Sequence, residues 1–125
     1  MNLVQIEERR RAARFECEGQ AAVLALKTGV RFQGKIQDLS IQGCLLKADK
    51  THNLSVYELV EITFNVNQEP FRVRAHVRVI RECGSIGFQF ELPSERTTRR
   101  LESLVDELAV AAANKPPGAK PEPRT

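Results

Sequence analysis

No stretch of this 125-residue chain is apolar enough to cross a bilayer as a helix. No run approaches the ~20 residues needed, and Met1 to Gln20 is charged where a secretory leader would be apolar. Membrane insertion is not expected, and a cytoplasmic location is. Cysteine is sparse: Cys17, Cys44 and Cys83 are odd in number and far apart, which argues against both a disulfide framework and a Cys-x-x-Cys zinc site. They read as buried or partly buried free thiols. The only histidines are His52, in a polar loop, and His76; neither stands near a nucleophile or a Gly-rich phosphate loop. With no catalytic constellation and no metal-ligand spacing, the expectation is a binding module, not an enzyme, without cofactor or metal.

Aromatics and one-sided charge are also scarce. Six Phe and one Tyr offer no surface string on which bases of an extended nucleic acid would stack. The net charge is +3, but Arg9, Arg10, Arg11 and Arg14 against Glu7 and Glu8 put +2 in residues 1–14. Lys115, Lys120 and Arg124 against Glu122 put another +2 in residues 115–125. The body between is therefore −1, whereas a protein that coats a polyanion usually carries a basic face on its body as well.

What is present is period-2 patterning. At 125 residues and 42% hydrophobic content the chain is one globular domain. Phe15 to Leu26 reads as strand by length and neighbours, and Lys27-Thr28-Gly29 as a turn. Val30, Phe32, Gly34 and Ile36 then alternate with polar residues in a half-buried strand that delivers Asp38 to the surface. Cys44 to Ala48 is a short buried strand; Leu59 to Val66, β-branched and aromatic with a single charge, reads as strand and is closed by Asn67-Gln68-Glu69-Pro70. Phe71, Val73, Ala75, Val77 and Val79 alternate with Arg72, Arg74, His76 and Arg78, the clearest strand signal in the chain. Those arginines either prepare an anion surface or pair with Glu58, Glu61 or Glu91 across the sheet, and pairing is the preferred reading. Cys83-Gly84-Ser85 is a turn before a last strand with Ile86, Phe88 and Phe90 inward. Six short strands argue for a closed or nearly closed antiparallel barrel. Ser94 caps a helix whose stripe, Leu101, Leu104, Val105, Leu108 and Ala112, packs across a barrel mouth or serves a partner. The resulting division is an arm over 1–14, a barrel with its C-terminal helix over 15–113, and a disordered tail over 114–125.

Two polar motifs stand apart from this pattern. In Asp38-Leu39-Ser40-Ile41-Gln42-Gly43, Asp38 and Ser40 face one way in extended geometry while Leu39 and Ile41 anchor inward. Gly43 permits a positive φ or close approach of a ligand. Read alone, the string is also an ordinary turn in which Asp and Ser bond their own backbone. Upstream, Glu8 to Arg14 places Arg10 and Arg14 four apart, on one face if helical; by itself it is a solvated, partly helical arm.

Together the two motifs resemble those of a PilZ domain: Arg-x-x-x-Arg near the start, Asp/Asn-x-Ser-x-x-Gly about two strands later. Gly87-Phe88-Gln89-Phe90 is similar to the glycine-hydrophobe-x-Phe pattern of that family's closing strand, and the resemblance spans about residues 8–110. It implies a mainly β protein, a six-stranded antiparallel PilZ-type barrel with a C-terminal helix and a flexible N-terminal arm. It also implies binding of cyclic di-GMP, a bacterial second messenger in motility, exopolysaccharide and biofilm control. Arg10 and Arg14 would clamp phosphates and guanine, assisted by Arg9 and Arg11, with Asp38, Ser40 and Gly43 as the opposing wall. Arginine suits that task because its planar fork bonds phosphate or the guanine edge in pairs and stacks on a purine. Many PilZ domains carry an aromatic residue on the penultimate strand near the base; here Val79-Ile80-Arg81 stands there, leaving stacking to arginine. An unidentified effector protein would read the changed surface, the receptor itself being a monomer or weak dimer. The competing readings are a small RNA- or ssDNA-binding barrel and a ligand-independent adaptor.

Overall fold

The computed structural model describes residues 13–49, 53–91 and 93–114. Six strands precede one helix: β1 Phe15–Ala25, β2 Arg31–Leu39, β3 Gly43–Ala48, β4 Leu59–Val66, β5 Glu69–Ile80, β6 Ser85–Phe90 and α1 Glu95–Ala113. They close into a barrel in the order β1-β2-β3-β6-β5-β4, with every pair antiparallel. Closure removes the free sheet edges that a six-stranded sheet would otherwise expose.

Alternation decides which side chains fill it. On β4, Val60, Ile62, Phe64 and Val66 point inward, and on β5 Phe71, Val73, Ala75 and Val77 do the same. Phe64 stacks on Phe71 at 5.1 Å between ring centroids and on Phe90 at 6.2 Å. Each such aliphatic or aromatic side chain contributes about 1.5–3 kcal/mol through its removal from water. The turn joining these strands is only Asn67-Gln68, with φ of 52° and 65°. Two successive positive φ values match the twist of a tight hairpin. Glu69 and Pro70, expected in the turn, therefore already belong to β5, opposite Val66 and Asn65.

Val79, Val30 and Cys83 depart from the expected burial. A register shift between Val77 and Val79 rotates the end of β5, so Val79 is 42% exposed instead of inward. Val30 precedes β2 and is 53% exposed. Cys83, in the β5–β6 turn, is an exposed thiol, whereas Cys44 is buried and Cys17 partly so.

The strand arginines follow the expected acid pairing only in part: Arg72 meets an acid, whereas Arg78 meets a neutral amide. Arg72 donates to Glu61 at 2.9 Å, Arg78 donates to Gln89, and His76 lies 3.9 Å from Glu91.

The two ends of the barrel differ. One holds the β2–β3 and β4–β5 turns and the approach to β1; the other holds the β1–β2, β3–β4 and β5–β6 connections. Helix α1 lies at the first. Ser94 caps it by accepting from the Thr97 N–H, and Leu101, Leu104, Val105 and Leu108 join the barrel core. Arg100 fastens it, lying 4.5 Å over the Phe71 ring and donating to the Pro70 carbonyl at 2.6 Å and to Glu69 at 3.4 Å. Ala112, expected in the apolar stripe, is exposed, because the buried part of the stripe ends at Leu108. The segment 1–12, the loop histidine His52, Leu92 and the tail from Lys115 lie outside the described residues.

Candidate functional site

Arg14 and Asp38 are 24 positions apart in sequence, and the antiparallel pairing of β1 with β2 brings them together. Glu16 is the register partner of Asp38, so the residue two places before it reaches the same spot beyond the end of the strand. The Arg14 Nη1 donates to Asp38 Oδ1 at 3.0 Å, with the two side chains 50% and 21% exposed. An ion pair this open contributes little to stability, about 0–1 kcal/mol. Its consequence is geometric: one guanidinium is aimed at one carboxylate on the barrel surface, with donors left over for a ligand.

The rest of the second motif builds the turn behind this pair. β2 ends at Leu39, so the strict alternation expected to put Ser40 beside Asp38 does not reach it, and Ser40 is only 2% exposed. Its hydroxyl accepts from the N–H groups of Gln42 and Gly43, both at 3.1 Å. The Ser40 N–H bonds the Gly43 carbonyl at 2.9 Å, and the Phe90 N–H bonds the Gln42 carbonyl at 2.7 Å, tying the turn to β6. Gly43 owes its place to close approach, not to a positive φ: a Cβ there would lie 2.0 Å from the Phe88 carbonyl oxygen. Asp38 is thus the outward member of the motif, while Ser40 and Gly43 hold the turn that positions it.

Asp38 also shapes its surroundings electrically. Burial, and after it the Asp38 carboxylate, push the Cys17 thiol up to about 11. Beside Asp38 across the sheet stands the half-buried Leu45, beside Leu45 stands Gly87 of the closing-strand motif, and beside Gly87 stands Val79. Gly87 lets Val79 close over the strand, since a Cβ there would lie 2.7 Å from the Val79 Cγ1. Arg9, Arg10 and Arg11 fall outside the described residues, so of the arginine motif only Arg14 is placed.

A separate open groove of about 620 Å³ lies between the outer face of β1, β2, β4 and β5 and the start of α1, lined by Gln20, Gln33, Thr63, Arg72 and Arg100 among others. Its two arginines are already engaged by Glu61 and Glu69. Among the described residues no three His, Cys, Asp or Glu side chains gather as metal ligands.

The family model for the PilZ domain matches residues 8–107. This chain belongs to the PilZ domain family. Solved PilZ structures share its fold at low identity. The PilZ domain of CeSA from a cellulose synthesizing bacterium is 19% identical over 78% of this chain and 99% of that one, with a TM-score of 0.65. The K. pneumonia MrkH–c-di-GMP complex is 24% identical over 86% of this chain, with a TM-score of 0.71. Escherichia coli YcgR in complex with c-di-GMP is 21% identical over 84%, with a TM-score of 0.69. This PilZ chain spans only 55% of the MrkH chain and 48% of the YcgR chain. No curated protein sequence matches it.

Proposed function

We propose that this PilZ domain is a receptor for cyclic di-GMP that signals by binding, not by catalysis. The observation that carries the reading is the Arg14–Asp38 pair, which unites the two sequence motifs at one exposed spot of the barrel. Arg14 supplies a phosphate- and guanine-binding fork, and Asp38 accepts from the N–H groups of a guanine's Watson–Crick edge. Ser40 and Gly43 act through the turn that holds Asp38. Arg10, four positions before Arg14 in the motif, completes the clamp, with Arg9 and Arg11 next to it in sequence. Ligand binding then closes segment 1–14 over the barrel and presents a changed surface to an effector in motility, exopolysaccharide or biofilm control. The two solved relatives in complex with c-di-GMP support the ligand class.

The extended nucleic-acid reading is disfavoured by the strand arginines, two of which face acid or amide partners on the sheet itself. The deciding experiment is isothermal titration calorimetry of cyclic di-GMP into the protein and its Arg10→Ala, Arg14→Ala and Asp38→Ala variants, with GTP and a short RNA as controls. Each charge-assisted bond is worth about 1.5–3 kcal/mol net, so each substitution should weaken binding roughly ten- to a hundredfold. Absence of heat for the dinucleotide in the parent protein overturns the receptor reading. Unchanged amide exchange over Glu8 to Arg14 at saturating ligand overturns the closing arm alone.

A further inference from the structure

The row of the candidate site continues well past Asp38. Asp38, Leu45, Gly87 and Val79 stand side by side on β2, β3, β6 and β5. The row therefore spans three strand spacings, roughly 14 Å, across the outer face of the barrel. Its middle is low, with the half-buried Leu45 beside a glycine, and Val79 stands 42% exposed at its far end. Among the described residues the exposed large hydrophobics are Leu26, Val30, Val56, Tyr57, Val79, Ile80 and Val110. All but Val110 sit on the connections and strand ends opposite α1, where this row finishes.

Beside β5 a strained backbone displays the one aromatic ring of that end. The Tyr57 N–H bonds the Val77 carbonyl at 2.7 Å, and the Val77 N–H bonds the Glu58 carbonyl at 3.0 Å, so Tyr57 and Glu58 together oppose a single residue of β5. This is the kind of bulge whose first residue has a positive φ and is a glycine. Here that residue is Tyr57, with φ of 73°. The turn before it, closed by the Glu58 N–H on the Ser55 carbonyl at 3.1 Å, favours glycine or asparagine at the same place. Burial does not offset the strain, because Tyr57 is 75% exposed. Strain held without burial points to a contact made with something else.

The row says what that contact is. A single base held at Asp38 leaves the Val79 end uncovered, whereas a dinucleotide has a second base to lay there. Val79 and Ile80 border that position with apolar surface, which favours a base face over a phosphate. We propose that Tyr57, whose N–H is bonded two residues before Val79, is a further ligand contact that stacks on the base farther from Asp38 and so favours dinucleotides over mononucleotides. The proposal rests on the cyclic di-GMP reading of the site. A tyrosine suits the role, since its ring stacks on any base and only two side-chain torsions are fixed in doing so.

Tyr57 is the chain's one tyrosine, and there is no tryptophan, so its ring signals in a proton–carbon NMR spectrum are identified without variants. Saturating cyclic di-GMP should shift them upfield, as a stacked base does, and GTP should not. In calorimetry Tyr57→Gly should weaken cyclic di-GMP binding roughly five- to a hundredfold, while Tyr57→Phe, which keeps the ring, should bind as the parent does. Glycine relaxes the backbone at position 57, so Tyr57→Gly should melt no lower than the parent, and its loss of affinity then reports the ring and not the fold. Heat from the parent with unmoved ring signals, or with parent-like affinity in Tyr57→Gly, overturns the role of Tyr57 and leaves the receptor reading standing. No heat from the parent overturns both.

Discussion

Gly43 and Ser40 hold the same turn by different means, one by close backbone approach and the other by hydrogen bonds. A methyl group at position 43 meets the Phe88 carbonyl, part of the β6 backbone, which can retreat only by spoiling the β3–β6 ladder. Gly43→Ala should therefore cost about 2–3 kcal/mol or more in urea denaturation. Gly29→Ala should cost only about 1–2 kcal/mol, because φ of 75° is strained there but the space is open. Equal costs would refute the close-approach explanation. That Gly43 matters was legible in the sequence. The reason was not, since the Phe88 carbonyl lies 45 positions away. Ser40 was misread on one face with Asp38 because strand alternation was extended past Leu39, where the turn begins.

At the scale of elements, periodicity carried most of the fold. β5 buries the inward positions that alternation assigns from Phe71 to Val77, and the cap at Ser94 and the stripe from Leu101 to Leu108 stand where the pattern put them. The failures cluster at irregularities: Val79 beyond the bulge and Ala112 beyond the docked part of the helix. A bulge inserts one residue into a period of two and so inverts everything after it. The docking of α1 is testable by deletion. Leu104→Ala should destabilise by about 2–5 kcal/mol and Ser94→Ala by about 1 kcal/mol, both read from urea midpoints. A near-neutral Leu104→Ala would mean that the helix does not pack on the barrel in solution.

For the whole molecule the three thiols form a depth gauge. Hydrogen bonds from Ser85 hold the exposed Cys83 thiol below its ordinary value, favouring thiolate. Burial raises Cys17 and, more strongly, the fully enclosed Cys44. At pH 8 a maleimide should modify Cys83 first and Cys17 slowly. Cys44 should react only at the rate of global opening, as peptide mapping by mass spectrometry would show. Native-state labelling of Cys44 as fast as Cys83 would contradict the closed barrel.

The chain's own pattern was enough to determine a small mainly β domain, its six strands, its capped helix and the two motifs that mark a PilZ domain. Local periodicity and turn chemistry act over a few residues and can be read from neighbours in sequence. Only the tertiary structure decided that Arg14 reaches Asp38, that Ser40 turns inward, that α1 seals one end of the barrel and that the apolar side chains gather at the other. Each of these depends on strand register and on which distant elements share a barrel end, and contacts across tens of residues leave no period in the sequence.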